Sequence, residues 1–174
     1  MSCDHVDVPA EDEAPREVWR MRVELDAVPA SAPAWPPGVR VRSYGDGDAV
    51  RVHALLEQGY SLGGGRVEAF ETWRREMTSD AEFDPRLWFL AEADGELAGV
   101  ALCWTSGFVK DLVVHERWRR RGIGEALLHH VMATFRARGA RVVELKVESD
   151  NASAVRLYER VGMQHVLDYR SVLL

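Results

Sequence analysis

Three arginines run directly into a glycine pair between residues 119 and 124, and the chemistry this suits is the holding of an anion. Arg119, Arg120 and Arg121 precede Gly122, Ile123 and Gly124, and from Ile123 onward Ala126, Leu127, Val131 and Phe135 recur at helical spacing. The start of a helix carries backbone N–H groups without intrahelical acceptors and a partial positive charge. A loop wrapped around it can hold a phosphate or pyrophosphate. Glycine keeps Cβ atoms off those amides and reaches φ values that other residues resist, while the arginines add fixed charge. The competing reading is simple turn chemistry or close helix packing. A dinucleotide fingerprint would need a third spaced glycine in an early βαβ unit, and a Walker loop would need Gly-Lys-Ser/Thr; both are missing.

Three further residues carry usable chemistry. Tyr158, flanked by Val155 and Val161 at helical spacing, is either a core aromatic or a proton donor, since a phenol of pKa ~10 is protonated at neutral pH. Asn151 stands just before a helical run, where it can cap the helix or offer its amide to a ligand. Asp111 lies within a strand pattern, on the same face as Val113 by alternation. It is either a general base, with Glu148 and Glu92 behind it, or a member of a structural ion pair. His115, His129 and His130 read as surface residues, and Trp73, Trp88 and Trp104 as core residues, with the lining of an acceptor pocket as the other reading. Cys3 and Cys103 stand far apart and Cys3 with His5 defines no ligand set, so neither a disulfide framework nor a metal is expected.

The elements that must position these groups are readable from residue 17 onward. Alternation marks a strand over 18–25, and four prolines make 28–38 a connector. A short strand over 39–42 precedes a helix carrying Val52, Leu55 and Leu56, which Gly63, Gly64 and Gly65 interrupt. A second helix carries Phe70, Trp73 and Met77. Strands over 86–93 and 96–104 are joined by Asp94 and Gly95, a pair suited to a two-residue hairpin turn because both tolerate positive φ. Then come a strand over 108–114, the helix ended by Gly139, a strand over 141–148, a helix over 152–161 and a closing strand over 164–173.

With 174 residues, 47% hydrophobic and 29% charged, the chain is expected to fold around one core. Residues 1–16 read as a flexible acidic tail, 17–38 as a strand and Pro-rich connector packed on the domain, and 39–174 as the domain proper. The net charge of -6 argues against nucleic acid as partner, because phosphate-backbone binding rests on a positive field. The acidic start lacks a signal-peptide layout and the longest uncharged run, 97–109, is too short for a membrane span. A cytoplasmic protein that binds neither membrane nor nucleic acid is expected.

Two blocks carry a family resemblance. The run VHERWRRRGIGEALL beginning at Val114 resembles the Arg/Gln-x-x-Gly-x-Gly/Ala coenzyme A motif of the GNAT superfamily of N-acetyltransferases, with Arg119, Gly122 and Gly124 at its key positions. The run beginning at Asn151 resembles the family's Asn-x-x-Ala-x-x-Leu-Tyr-x-x-x-Gly-Phe signature through Asn151, Ala154, Leu157, Tyr158 and Gly162, with Met163 in place of Phe. The stretch from Val147 also resembles the C-terminal half of the mycothiol synthase branch, whose members have two such domains. The resemblance implies an α/β fold: a mixed, largely antiparallel sheet of six to seven strands flanked by about four helices, with a splayed parallel strand pair forming an acyl-CoA cleft. It implies acetyl-CoA as cosubstrate, no metal, and transfer to a primary amine of a small molecule or peptide. Leu112, Val113 and Val114 would offer backbone to the pantetheine arm, and Arg119 through Gly124, including Arg120, Arg121 and Ile123, would hold the pyrophosphate. Asn151, Ala154 and Tyr158 would complete the donor site, with Tyr158 as general acid and Asp111 as base. Acidic residues Glu71, Asp80, Glu82 and Asp84 favour a cationic acceptor. A monomer or homodimer is expected. The readings set against this one are a noncatalytic acyl-CoA-binding regulator and a nucleic-acid module using Arg117 to Arg121 with Trp118.

Overall fold

The computed structural model describes residues 16–63 and 65–167. The tail over 1–15, Gly64 and the end of the closing strand beyond 167 lie outside the described residues. Seven strands form one sheet in the order β2-β3-β4-β5-β6-β1-β7: β1 (Val18–Glu24), β2 (Arg40–Ser43), β3 (Trp88–Ala93), β4 (Glu96–Cys103), β5 (Phe108–Val114), β6 (Val142–Glu148) and β7 (Gln164–Val166). Four helices flank it: α1 (Ala49–Leu62), α2 (Phe70–Ser79), α3 (Ile123–Ala137) and α4 (Ala152–Arg160). The mixed, mostly antiparallel architecture is the one expected, with β5 and β6 as its single parallel pair.

Local chemistry sets the element ends. Asp94 and Gly95 both take positive φ, 51° and 75°, the twist-matched hairpin turn between β3 and β4. The strand expected from residue 86 starts instead at Trp88. The Asp84 carboxylate accepts from the Arg86 amide at 3.0 Å and turns Pro85–Leu87 into a 3₁₀ turn. β4 stops at Cys103, one residue before the expected end. β1 is a full sheet member, paired along its length with β6 and also with β7.

Two cores sandwich the sheet. On one face Ile123, Leu127, Leu128, Val131 and Phe135 of α3 meet Phe89, Val143 and Leu145, and α4 adds Val155. On the other, Val52, Leu55 and Leu56 of α1 with Trp73 and Met77 of α2 cover Trp88, Leu90, Val100 and Leu102. Each such buried side chain contributes about 1.5–3 kcal/mol. These cores fix the helices relative to β4 and β5.

β5 and β6 pair through two couples, Phe108 with Glu144 and Val109 with Leu145. Beyond them the strands part. β5 stays on β4 through a bulge in which Leu102 faces Asp111 and Cys103 faces Val109, leaving Lys110 without a partner. β6 stays on β1 out to Glu148. The β5 edge from Lys110 to Val114 is therefore left open on its β6 side.

α1 crosses this edge closely because Gly59 permits it. A Cβ there would lie 2.4 Å from Val113 Cγ1, and valine is stiff at χ1. Gly59→Ala is expected to lower stability by about 1–3 kcal/mol, more than the ~1 kcal/mol that alanine contributes to a helix. An unchanged denaturant midpoint would show that α1 can ride over Val113 without strain.

Candidate active site

The parted strands open onto a cavity of about 850 Å³ between β5, the start of α3 and α4. Leu112, Val113 and Val114 line one wall, and Arg119, Arg120, Gly122, Ile123 and Gly124 form its end. Asn151, Ala154 and Tyr158 line the opposite wall. Of the donor residues expected from the sequence, Arg121 alone is absent from this lining. Its guanidinium sits 4.9 Å from the centre of the Trp118 ring, a cation–π contact.

The loop into α3 has the backbone shape expected of an anion-binding loop. Arg120 and Gly122 take left-handed backbone, with φ of 58° and 84°. Gly122 has no side chain with which to cap the helix, and the first intrahelical bond is Ala126 N–H to Gly122 O at 3.0 Å. The amides before it keep no intrahelical acceptor. The two glycines meet different constraints within the protein. A Cβ on Gly122 would meet nothing within 4 Å, so glycine is there for its φ. A Cβ on Gly124 would approach Leu157 Cδ2 at 3.2 Å, so that glycine also lets α3 and α4 close together. Arg119 Nε donates to Val114 O at 3.1 Å, tying the loop to the end of β5. Sequence reasoning missed Arg156 and Arg160, which line the cavity from α4. Their (i, i+4) spacing, shared with Ser153 three residues before Arg156, was the available signal.

A smaller cavity of about 240 Å³ continues from the larger one; Gly59, Gly63, Leu112, Val113, Glu148, Asn151 and Tyr158 line both. Tyr158 thus stands at the junction. It is 7% exposed, and burial pushes its phenol up to about 12. Its hydroxyl has no hydrogen-bond partner among the described residues. Asn151 is a helix cap, accepting from the Ala154 amide at 3.2 Å, and its amide NH₂ is left for other partners.

Asp111 is buried at the floor of the smaller cavity, 5% exposed, and accepts a hydrogen bond from the Tyr60 hydroxyl of α1. Burial raises the Tyr60 phenol first, and the Asp111 charge and hydrogen bond raise it further. Tyr60 is therefore held as a donor. The Cys103 thiol is likewise pushed up, by burial and then by Asp111. Glu148 is bridged by Arg16, whose Nη1 lies 3.0 Å from Glu148 Oε2 and 3.0 Å from Gly63 O. Glu92 lies in neither cavity; Arg42 and Arg51 bond it at 2.8 and 3.0 Å, and Arg42 holds its carboxyl below the usual range. Trp73 and Trp88 are core, while Trp104 is half-buried. His130 is half-buried: its ring centre lies 4.6 Å from that of Phe89, and burial lowers its pKa. Among the described residues no group of three or more His, Cys, Asp or Glu is placed to hold a metal ion.

An open strand edge that runs from an uncapped, arginine-flanked helix start to a buried phenol is the cleft implied by the motif resemblance. The Acetyltransferase (GNAT) family profile matches residues 51–163, and the chain belongs to that family. More particularly, it is 33% identical over 166 residues to the mycothiol acetyltransferase of Cellulomonas flavigena, covering 84% of this chain and 47% of that protein. It is 34% identical over 176 residues to the mycothiol acetyltransferase of Beutenbergia cavernae, covering 87% and 56%. The chain thus spans about half the length of the curated relatives it matches. Among solved structures, a GCN5-related N-acetyltransferase from Sphaerobacter thermophilus superposes with a TM-score of 0.75 at 35% identity, over 87% of this chain and 49% of that one. A tandem GNAT protein from the clavulanic acid biosynthesis pathway superposes with a TM-score of 0.63 at 18% identity, over 86% of this chain and 50% of that one, a likeness of fold.

The Tyr60 and Asp111 pair makes a direct prediction. Asp111→Asn removes two of the causes that raise Tyr60, so its ionisation should move down in a tyrosinate absorbance titration, while burial keeps it above an ordinary phenol. Subtracting the Tyr60→Phe curve isolates the residue, and an unmoved transition would mean that the carboxylate does not act on it.

Proposed function

We propose that this chain transfers the acetyl group of acetyl-CoA to a primary amine of a small molecule or peptide, by direct attack of the amine on the thioester. The observation that carries the reading is the position of Tyr158, at the junction between the large cavity with its anion cradle and the smaller cavity with its carboxylates. Family membership and relatives named as acetyltransferases support it.

The amides at the start of α3, with Arg119, Arg120 and Arg156 beside them, would take the pyrophosphate. The open edge of β5 would pair with the amides of the pantetheine arm as an added strand would. The thioester would then lie at Tyr158. The acceptor enters through the smaller cavity, losing a proton to Asp111 directly or through a water molecule. As the C–N bond forms and the C–S bond breaks, Tyr158 donates its proton to the departing thiolate. A phenol held near 12 remains protonated at neutral pH and can serve that role. Holding the reactants in contact supplies much of the rate. We place the protein in the cytoplasm; among the described residues no helix is long and apolar enough to cross a membrane.

Tyr158→Phe should cut kcat about 100-fold and leave acetyl-CoA affinity within about twofold. Equal turnover would show that the thiolate takes its proton from water. Asp111→Asn should lower kcat/KM about 100-fold, and Glu148→Gln should leave it within a few fold; the reverse pattern would move the base to Glu148. If acetyl-CoA protects the chain against heating but no amine in a broad panel is acetylated, the chain is a donor-binding regulator instead.

A further inference from the structure

Of 22 lysines and arginines in the chain, two are lysines, Lys110 and Lys146. Both line the smaller cavity. Each stands one residue past the last paired couple of β5 and β6, Val109 with Leu145, so the two flank the point where the strands part. Lys146 is also paired directly with Arg20 on β1. Three cations therefore lie abreast on three neighbouring strands: Lys110, Lys146 and Arg20. Like charges set side by side across a sheet are destabilising.

The neighbouring carboxylates do not relieve the row at its centre. Arg20 is held by Glu144 at 2.6 Å, and Arg22 takes Glu144 at 3.5 Å and Glu24 at 2.9 Å. Glu148 is taken by Arg16 at 3.0 Å. Lys110 makes only a long ion pair, at 3.9 Å, with Asp111, whose other oxygen accepts from Tyr60. No carboxylate among the described residues is within ion-pair distance of Lys146. The acidic residues that favoured a cationic acceptor have other work. Asp80 and Glu82 accept from backbone amides, Asp84 holds Arg86 and Arg138, and none of these three nor Glu71 lines either cavity.

We infer that Lys110 and Lys146 form a subsite for an anionic oxygen group, a carboxylate or a phosphate, carried by the acceptor amine. The inference rests on the acetyltransferase reading above and narrows its acceptor to amines that carry such a group. An ammonium is a compact, strongly hydrated point charge, suited to gripping an anion at a cavity mouth without fixed planar geometry. With the anion at the lysines, the amine of the same molecule lies toward Asp111 and Tyr158, which line the same cavity.

The chain having two lysines gives a direct assay. Reductive ¹³C-dimethylation keeps their charge and yields two side-chain resonances beside that of the α-amine. At constant ionic strength, O-phosphoethanolamine or β-alanine should shift both resonances, and ethanolamine should shift neither; the two anionic probes separate phosphate from carboxylate. In acetyl-CoA turnover with the better anionic amine, Lys146→Gln should raise KM at least tenfold with kcat within twofold, and leave neutral amines unchanged. Lysine resonances that respond to no anionic probe, or equally to ethanolamine, overturn the subsite. Acetylation of neutral amines as efficient as that of anionic ones, indifferent to Lys146→Gln, also overturns it while leaving the transferase reading intact. Specific anion shifts without acetylation of any amine uphold the subsite and sink the transferase reading.

Discussion

The cleft depends on one event in the sheet, the end of hydrogen bonding between β5 and β6 after Val109 and Leu145. Each strand is committed to its other neighbour: β5 follows β4 around the bulge at Lys110, and β6 follows β1 to Glu148. Two such commitments in a twisted sheet pull the strands apart, because a bulge increases local twist. The parting leaves backbone groups of β5 without a strand partner in the middle of the sheet. The edge opens onto the larger cavity, where Leu112, Val113 and Val114 line one wall.

Helices then wall the gap at distances that small residues set. Gly59 lets α1 lie on Val113, Gly99 lets α3 lie on β4 where a Cβ would meet Ile123 and Leu127 at 3.2 Å, and Gly124 lets α3 meet Leu157 of α4. Close packing of this kind transmits position with little slack. The uncapped start of α3, the open strand edge and the Tyr158 hydroxyl are in consequence fixed relative to one another by the cores on both faces.

The loop into α3 was legible in the sequence because its shape is carried by backbone. An anion cradle demands glycine at particular offsets from a helix start, and a left-handed φ at Gly122 leaves a mark that a side-chain contact does not. The fold was legible for a similar reason, as period and turn chemistry are local; the misplaced start of β3 came from Asp84 capping a turn that alternation alone reads as strand. What stayed hidden was formed over distance. Tyr60 and Asp111 are 51 residues apart and Arg16 and Glu148 are 132 apart, so nothing in either neighbourhood announces the partner. Arg121 was read with its neighbours as one basic run, but its guanidinium stacks on Trp118, which lines the cavity where Arg121 itself does not.

The charge of the molecule reads differently at two scales. The chain as a whole carries -6, which repels a polyanion at long range. In the larger cavity the balance is reversed, with Arg119, Arg120, Arg156 and Arg160 among its lining, while in the smaller one Lys110 and Lys146 stand against Asp111 and Glu148. Screening limits surface fields to about 8 Å at physiological salt, so each cluster is felt by a group that enters the cavity and hardly by one that passes outside. Much of the acidic excess is meanwhile tied to arginines, as at Asp48 and Glu92 with Arg42 or Asp84 with Arg86. A surface that discourages extended anions thus coexists with a larger cavity whose lining is cationic, and the proposed acceptor chemistry depends on how the two lysines of the smaller cavity are balanced against the carboxylates of Asp111 and Glu148 that line it with them.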